Sequence, residues 1–207
     1  MVWRNCRHRR SRLIEIQSHR RIRIEGIVID MVFFTFDRLC DTNYQSQVYT
    51  LLKQCDHEFV PPLSQRTSTT QQTLDNSSSP REAAPDSYFQ VLQEQSVILC
   101  IAQESLLGFM SFRKNHVCED VPNDLPTIYV TTVIVDPAHR GKGLTEAMYK
   151  QLLTVAQAHS ISVSARTWST NHAHIKILSR MGFYELLRLQ NGRGPGIDTV
   201  YYRKDIV

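Results

Sequence analysis

Arg140-Gly141-Lys142-Gly143 sets two cations and two residues without side chains side by side, immediately before a helical apolar pattern at Leu144, Met148, Leu152 and Val155. Spacings of three and four put those apolar residues on one helix face. Glycines at a helix N-terminus expose backbone N–H groups, and the macrodipole adds partial positive charge there. With Arg140 and Lys142 alongside, the chemistry offered is the holding of a phosphate or pyrophosphate. Ahead of the turn, Val130 to Val135 is a β-branched run suited to a buried strand, and Asp136-Pro137 stops it because proline has no N–H to give a ladder. The stretch is not a P-loop, which needs G-x-x-x-x-G-K-[ST]. It is not a dinucleotide fingerprint either, because Glu146 stands where the third glycine would be. On the residues alone, an ordinary strand-to-helix turn with solubilising cations stays open.

Val135-Asp136-Pro137, then Arg140-Gly141-Lys142-Gly143 and the helix, resembles the GNAT superfamily of N-acetyltransferases, whose acetyl-CoA motif reads R/Q-x-x-G-x-G/A. Arg140 and Gly143 match that motif, and Thr145 stands where the family has a smaller residue. A second stretch is similar to the family pattern N-x-x-A-x-x-L-Y-x-K-x-G-F. Asn171, Ile177, Arg180, Gly182 and Phe183 keep its spacing, with His174 in place of the alanine and Leu178 in place of the tyrosine. The resemblance runs over roughly residues 32–204 and carries no signature of an acceptor.

The resemblance implies transfer of an acetyl group from acetyl-CoA, as co-substrate, to an amine borne by a small molecule, a peptide or a protein. No metal is implied. It places the pyrophosphate on Arg140, Gly141, Lys142, Gly143, Leu144 and Thr145. The pantetheine arm would pair with the backbone of Val133 and Val135, and Asn171 would orient the arm or the acceptor-side amide. Direct attack needs the two reactants held together, a stabilised oxyanion, and proton transfer off the amine and onto the thiolate. The family's usual acid falls on Leu178, which has no proton to give, and the strand from Thr127 to Val135 holds no glutamate to act as base. His174, one turn before Leu178, and Tyr129 on the strand are the substitutes within reach, and water is another. Asp198 is a candidate for holding a cationic acceptor, with a turn aspartate the first reading of that position. A non-catalytic acyl-CoA-binding regulatory domain is the alternative consistent with the same motifs.

These residues need elements to position them. Alternating and β-branched runs predict strands at 32–36, 97–103, 107–113, 127–135, 161–167, 184–189 and 199–203. Helical spacing predicts helices over 44–55, 87–95, 143–158 and from Asn171 to Met181, the last closed by Gly182. Interleaving of this kind is an α/β pattern with a mixed α+β sheet. The resemblance makes it a twisted, mostly antiparallel sheet flanked by helices, splayed beside the strand that ends at Val135. Residues 64–85, rich in Ser, Thr, Gln, Asn and Pro, read as a flexible polar loop, which the resemblance places beside the acceptor site.

Residues 1–30 carry eight arginines against three acids, a charge of +5, so the remaining 177 residues of the +4 chain sum to −1. The expectation is a basic disordered arm preceding one domain over 31–207, with Met31 a possible true start. A near-neutral domain gives no electrostatic footprint for nucleic acid. No apolar run has the length of a membrane span. Five cysteines without paired or zinc-type spacing suit reduced thiols in the cytoplasm. Oligomeric state leaves no mark in the sequence.

Overall fold

The computed structural model describes residues 13–24, 27–71, 83–121 and 124–206. It is a mixed α/β structure built on one eight-stranded sheet in the order β1-β2-β3-β4-β5-β6-β8-β7. The strands are β1 (Leu13–Ile24), β2 (Ile27–Phe36), β3 (Ser96–Ala102), β4 (Ser105–His116), β5 (Thr127–Val135), β6 (Val163–Trp168), β7 (Tyr184–Leu189) and β8 (Thr199–Lys204). Neighbours are antiparallel throughout except for β5 and β6, which run parallel. Helices α1 (Gln45–Cys55), α2 (Asp86–Leu92), α3 (Leu144–His159) and α4 (His172–Arg180) cover the two faces.

Each face has its own core. Met148, Leu152 and Val155 of α3, with Leu178 of α4, pack on Ile128, Val130, Val135, Val163 and Ala165 of β5 and β6. On the other face Val48, Leu51 and Leu52 of α1, with Tyr88, Phe89 and Leu92 of α2, pack on Leu99, Phe109 and Ile134. The apolar residues of α3 recur every three to four positions and so form the stripe a sheet can bury; full burial of each contributes about 1.5–3 kcal/mol.

Two irregularities open the sheet at its centre. Ser111 faces Thr132 and Phe112 faces Val130, so Thr131 is an extra residue, a β-bulge in β5. The parallel pairing of β5 with β6 covers only Ile128↔Val163, Tyr129↔Ser164 and Val130↔Ala165. A bulge sharpens twist and bends its strand. Beyond Val130 the two strands part, and residues Thr131 to Val135 face β6 without a ladder.

Part of the polypeptide expected to be an arm is regular structure. Leu13–Ile24 is an edge strand that pairs with β2 from Leu13↔Phe36 to Ile24↔Ile27. The sequence Ile22-Arg23-Ile24 alternates as an edge strand does, and Arg21 meets Asp30 at 2.7 Å. High arginine content masked that period; residues 1–12 lie outside the described residues. Met31 is fully buried within β2. The polar loop also differs from expectation where it is described: Ser64, Arg66 and Thr69 are buried, while residues 72–82 lie outside the described residues.

Candidate active site

A cavity of about 290 Å³ fills the opening between β5 and β6. Val130 to Val135 form its floor. Thr145 at the start of α3 marks one end, and Arg166 and Trp168 of β6 the other; Asn171, His174 and Ile177 of α4 and Cys55, Glu58 and Phe59 close the sides.

Backbone direction along the floor follows from the register. The Asp136 N–H donates to the Leu107 carbonyl at 2.9 Å, and Ile134 lies opposite Phe109. Antiparallel pairing alternates, so Ile134 and Asp136 turn their peptide groups toward β4 while Val133 and Val135 turn theirs toward the cavity. The Val135 carbonyl is used in the free protein: Arg140 Nε donates to it at 3.1 Å.

The glycine turn takes its shape from positive φ. Gly141 has φ 74°, and Gly143, the N-cap of α3, has φ 75°; a side chain would be strained at either. A Cβ built on Gly141 meets nothing within 4 Å, so its backbone faces open space. Lys142 Nζ donates to the Ala138 carbonyl at 3.0 Å. The guanidinium of Arg140 turns back to Glu58 at 2.9 Å and to Cys55 Sγ at 3.4 Å. This ion pair is partly exposed, so it contributes at most about 1 kcal/mol and a phosphate could displace Glu58. Leu144 is buried beneath the turn.

Asn171 N-caps α4, its Oδ1 accepting from the His174 N–H at 3.3 Å. His174 Nε2 lies 2.8 Å from the hydroxyl of Tyr149, a fully buried residue of α3. Burial lowers the His174 pKa to about 4 and raises that of Tyr149, so both are neutral at pH 7. Leu178 is fully buried in the core and has no chemical part.

Tyr129 does not join His174. Its ring stacks on His116 at 4.3 Å and lines a second cavity of about 260 Å³ with Thr70, Asp120, Arg166 and Tyr201. Burial and the nearby Arg113 and Arg166 cations lower the His116 pKa, which leaves its ring neutral and able to accept a proton. Asp198 lies outside both cavities. It accepts from Asn191 N–H at 3.1 Å and from Arg188 at 3.0 Å, closing the β7–β8 turn. Among the described residues no group of His, Cys, Asp and Glu could hold a metal ion, and no helix is long and apolar enough to cross a membrane.

Several residues in or just behind the cavity walls carry no pattern in the sequence. Phe59 and Trp168 meet at 5.8 Å from separate elements. Arg66 sits in the polar loop and Arg193 in the glycine-rich β7–β8 loop, where composition gives no hint of burial. The nearest signal was Arg166 itself, a cation on a strand whose alternate residues Val163, Ala165 and Thr167 are buried.

Residues 54–183 match the Acetyltransferase (GNAT) family, and the chain belongs to it. It is therefore an acetyltransferase by family. Comparison with curated proteins gives no match. Among solved structures, a protein from Acinetobacter baylyi assigned as an acetyltransferase is similar at TM-score 0.59 and 17% identity, covering 85% of this chain and 94% of that one. A Salmonella typhimurium protein with the same assignment, solved with its cofactor acetyl-CoA, gives 0.58 and 16%, covering 86% and 94%. The ribosomal-protein-alanine N-acetyltransferase of Brucella melitensis gives 0.56 and 14%, covering 79% and 94%. At these identities the likeness is one of fold.

Proposed function

We propose that this protein is an N-acetyltransferase that uses acetyl-CoA as co-substrate and acetylates an amine by direct attack. The observation that carries the reading is the opening between β5 and β6. It joins a glycine turn at the N-terminus of a 16-residue helix to strand backbone left unpaired beyond Val130. An anion suits the first feature and an extended amide-bearing arm the second. The N–H groups from Gly141 to Thr145 would hold the pyrophosphate, with Arg140 released from Glu58 and Lys142 beside it. Val133 and Val135 would pair with the pantetheine amides, and Asn171 would face their far end.

The thioester then lies along the bulge at Thr131. The amine nitrogen bonds to the carbonyl carbon as the carbon–sulfur bond breaks, and one proton passes from the amine to the departing sulfur. His116 or water takes the proton on the acceptor side. The neutral His174, held at Nε2 by Tyr149, offers a donor to the thiolate. A neutral domain with scattered cysteines suits work in the cytoplasm.

Thermal unfolding of the full chain with and without acetyl-CoA is the test. Ligand at ~100 times its dissociation constant adds ~2.7 kcal/mol if it binds only the folded state. A rise in Tm together with amine-dependent release of free CoA is the expected result. No rise removes the reading, and a rise without release from any amine leaves an acyl-CoA-binding domain instead.

A further inference from the structure

Arg66 and Arg193 lie close to Arg166, the residue common to the linings of both cavities. Arg66 is 7% exposed and Arg193 2%. Both donate to the same acceptor, the Val60 carbonyl, Arg66 at 3.2 Å and Arg193 through Nη1. Arg66 stands 5.5 Å over the Phe59 ring and Arg193 5.5 Å over Trp168, so both lie behind the aromatic pair that walls the first cavity. Arg166 lines both cavities and donates to the Gln71 carbonyl at 2.7 Å and the Tyr201 hydroxyl at 3.3 Å.

Among the described residues, no carboxylate lies within 4.0 Å of any of the three guanidinium groups, although elsewhere in the chain arginines at 38, 140, 180, 188 and 203 all have such partners. The buried Nε of Arg193 has no hydrogen-bond partner at all. Carbonyls and rings solvate these cations without neutralising them. Burial lowers the Arg193 pKa to about 9 and the Arg66 pKa to about 10, and the neighbouring cations add to the Arg193 shift. Two like charges taken from water beside the partly buried Arg166, with no carboxylate among them, are costly, and an anion there offsets that cost. The second cavity has two acids in its lining, Glu119 and Asp120, neither within 4.0 Å of the three guanidinium groups, and Asp120 is engaged by the Tyr201 hydroxyl.

We propose that the acceptor is a small amine carrying an anionic group, in its simplest form an amino-acid carboxylate, and that Arg166 holds that group where the two cavities meet. This rests on the N-acetyltransferase reading and names the substrate class for it. Arg66 and Arg193 lie behind Arg166 and set the positive potential. With the carboxylate on Arg166, the amine points along β6 toward the bulge at Thr131, where the thioester lies. A polycationic amine would meet the same three charges and be repelled.

The experiment follows CoA release by the full chain with acetyl-CoA and twenty L-amino acids, each beside its own carboxamide, with spermidine as the cationic control. A carboxamide is the less basic amine, so protonation alone favours it, and a preference for the acid reports on the site. At least one free amino acid should exceed its carboxamide by about 100-fold in kcat/KM, the discrimination expected of a charge-assisted hydrogen bond to a partly buried cation. In Arg166→Gln that ratio should fall to within about threefold, whatever happens to the absolute rate, and Arg166→Lys should keep part of it. Equal or faster turnover of the carboxamides or of spermidine overturns the proposal, as does failure to acetylate any acid while calorimetry shows acetyl-CoA bound. Absence of acetyl-CoA binding in the same calorimetry removes the transferase reading itself, and this inference with it.

Discussion

In the proposed transfer His174 would act through one ring nitrogen, because the other is held. Its Nε2 lies 2.8 Å from the Tyr149 hydroxyl, and burial raises the Tyr149 pKa, so the phenol keeps its proton and can donate to Nε2 in one of the two neutral tautomers. That tautomer puts the imidazole proton on Nδ1. With a pKa lowered to about 4, imidazolium is scarce at pH 7, so in the proposed transfer His174 would serve the leaving sulfur as a hydrogen-bond donor rather than as a full acid. His174→Ala should lower kcat by about 10- to 100-fold, and Tyr149→Phe by less, since it frees the tautomer without removing the ring. Acetyl-CoA affinity should change little in either. Steady-state kinetics with calorimetry separates the two effects, and an unchanged kcat in His174→Ala assigns the ring to packing.

The opening between β5 and β6 depends on how β4 carries β5. Gly108 of β4 lies opposite Val135, and a Cβ there would stand 2.8 Å from the Ile134 carbonyl oxygen and 3.2 Å from the Val135 Cα. Both contacts are backbone and cannot swing aside. Gly108→Ala should therefore push β5 from β4 and cost about 1–3 kcal/mol, read as a lower denaturation midpoint at unchanged m-value. Acetyl-CoA affinity should fall with it, because the same segment is the cavity floor; a variant as stable as the parent would show that β5 yields freely. The elements bearing this floor were legible in the sequence, because a β-branched run, a proline stop and a glycine turn are local signals. Its far end was not. Phe59, Arg66, Arg166 and Arg193 come from four separate segments, and only the closing of the sheet brings them together. The first strand was hidden by its own arginines, whereas Asp198, legible as a turn aspartate, is engaged in the β7–β8 turn by Arg188 and the Asn191 backbone. Local chemistry prints in a sequence; a charge cluster assembled by topology does not.

The fold as a whole carries a pH dependence that its cavities create. His174 and His116 both have pKa values lowered by burial, His174 to about 4 from an ordinary value of 6.5. A histidine with a depressed folded-state pKa takes up its proton in the unfolded chain first. Stability is then fully present above about pH 6.5, declines as pH falls toward about 4, and levels off below that. For His174 the size is on the order of 2 kcal/mol after allowance for its partial exposure on the cavity wall. Asp198 and Asp205 are held below the usual carboxylate value by hydrogen bonds and arginine neighbours, so their contribution is largely retained over the upper part of this window. Denaturation midpoints of the full chain between pH 4.5 and 7 should therefore slope downward with acid. In His174→Gln, whose side chain can still meet the Tyr149 hydroxyl and does not titrate, the slope should be shallower, and the remainder should belong to His116 and vanish in the double variant. A slope identical in all three proteins would place both histidines in contact with solvent, and with that would remove the argument that His174 works as a neutral donor.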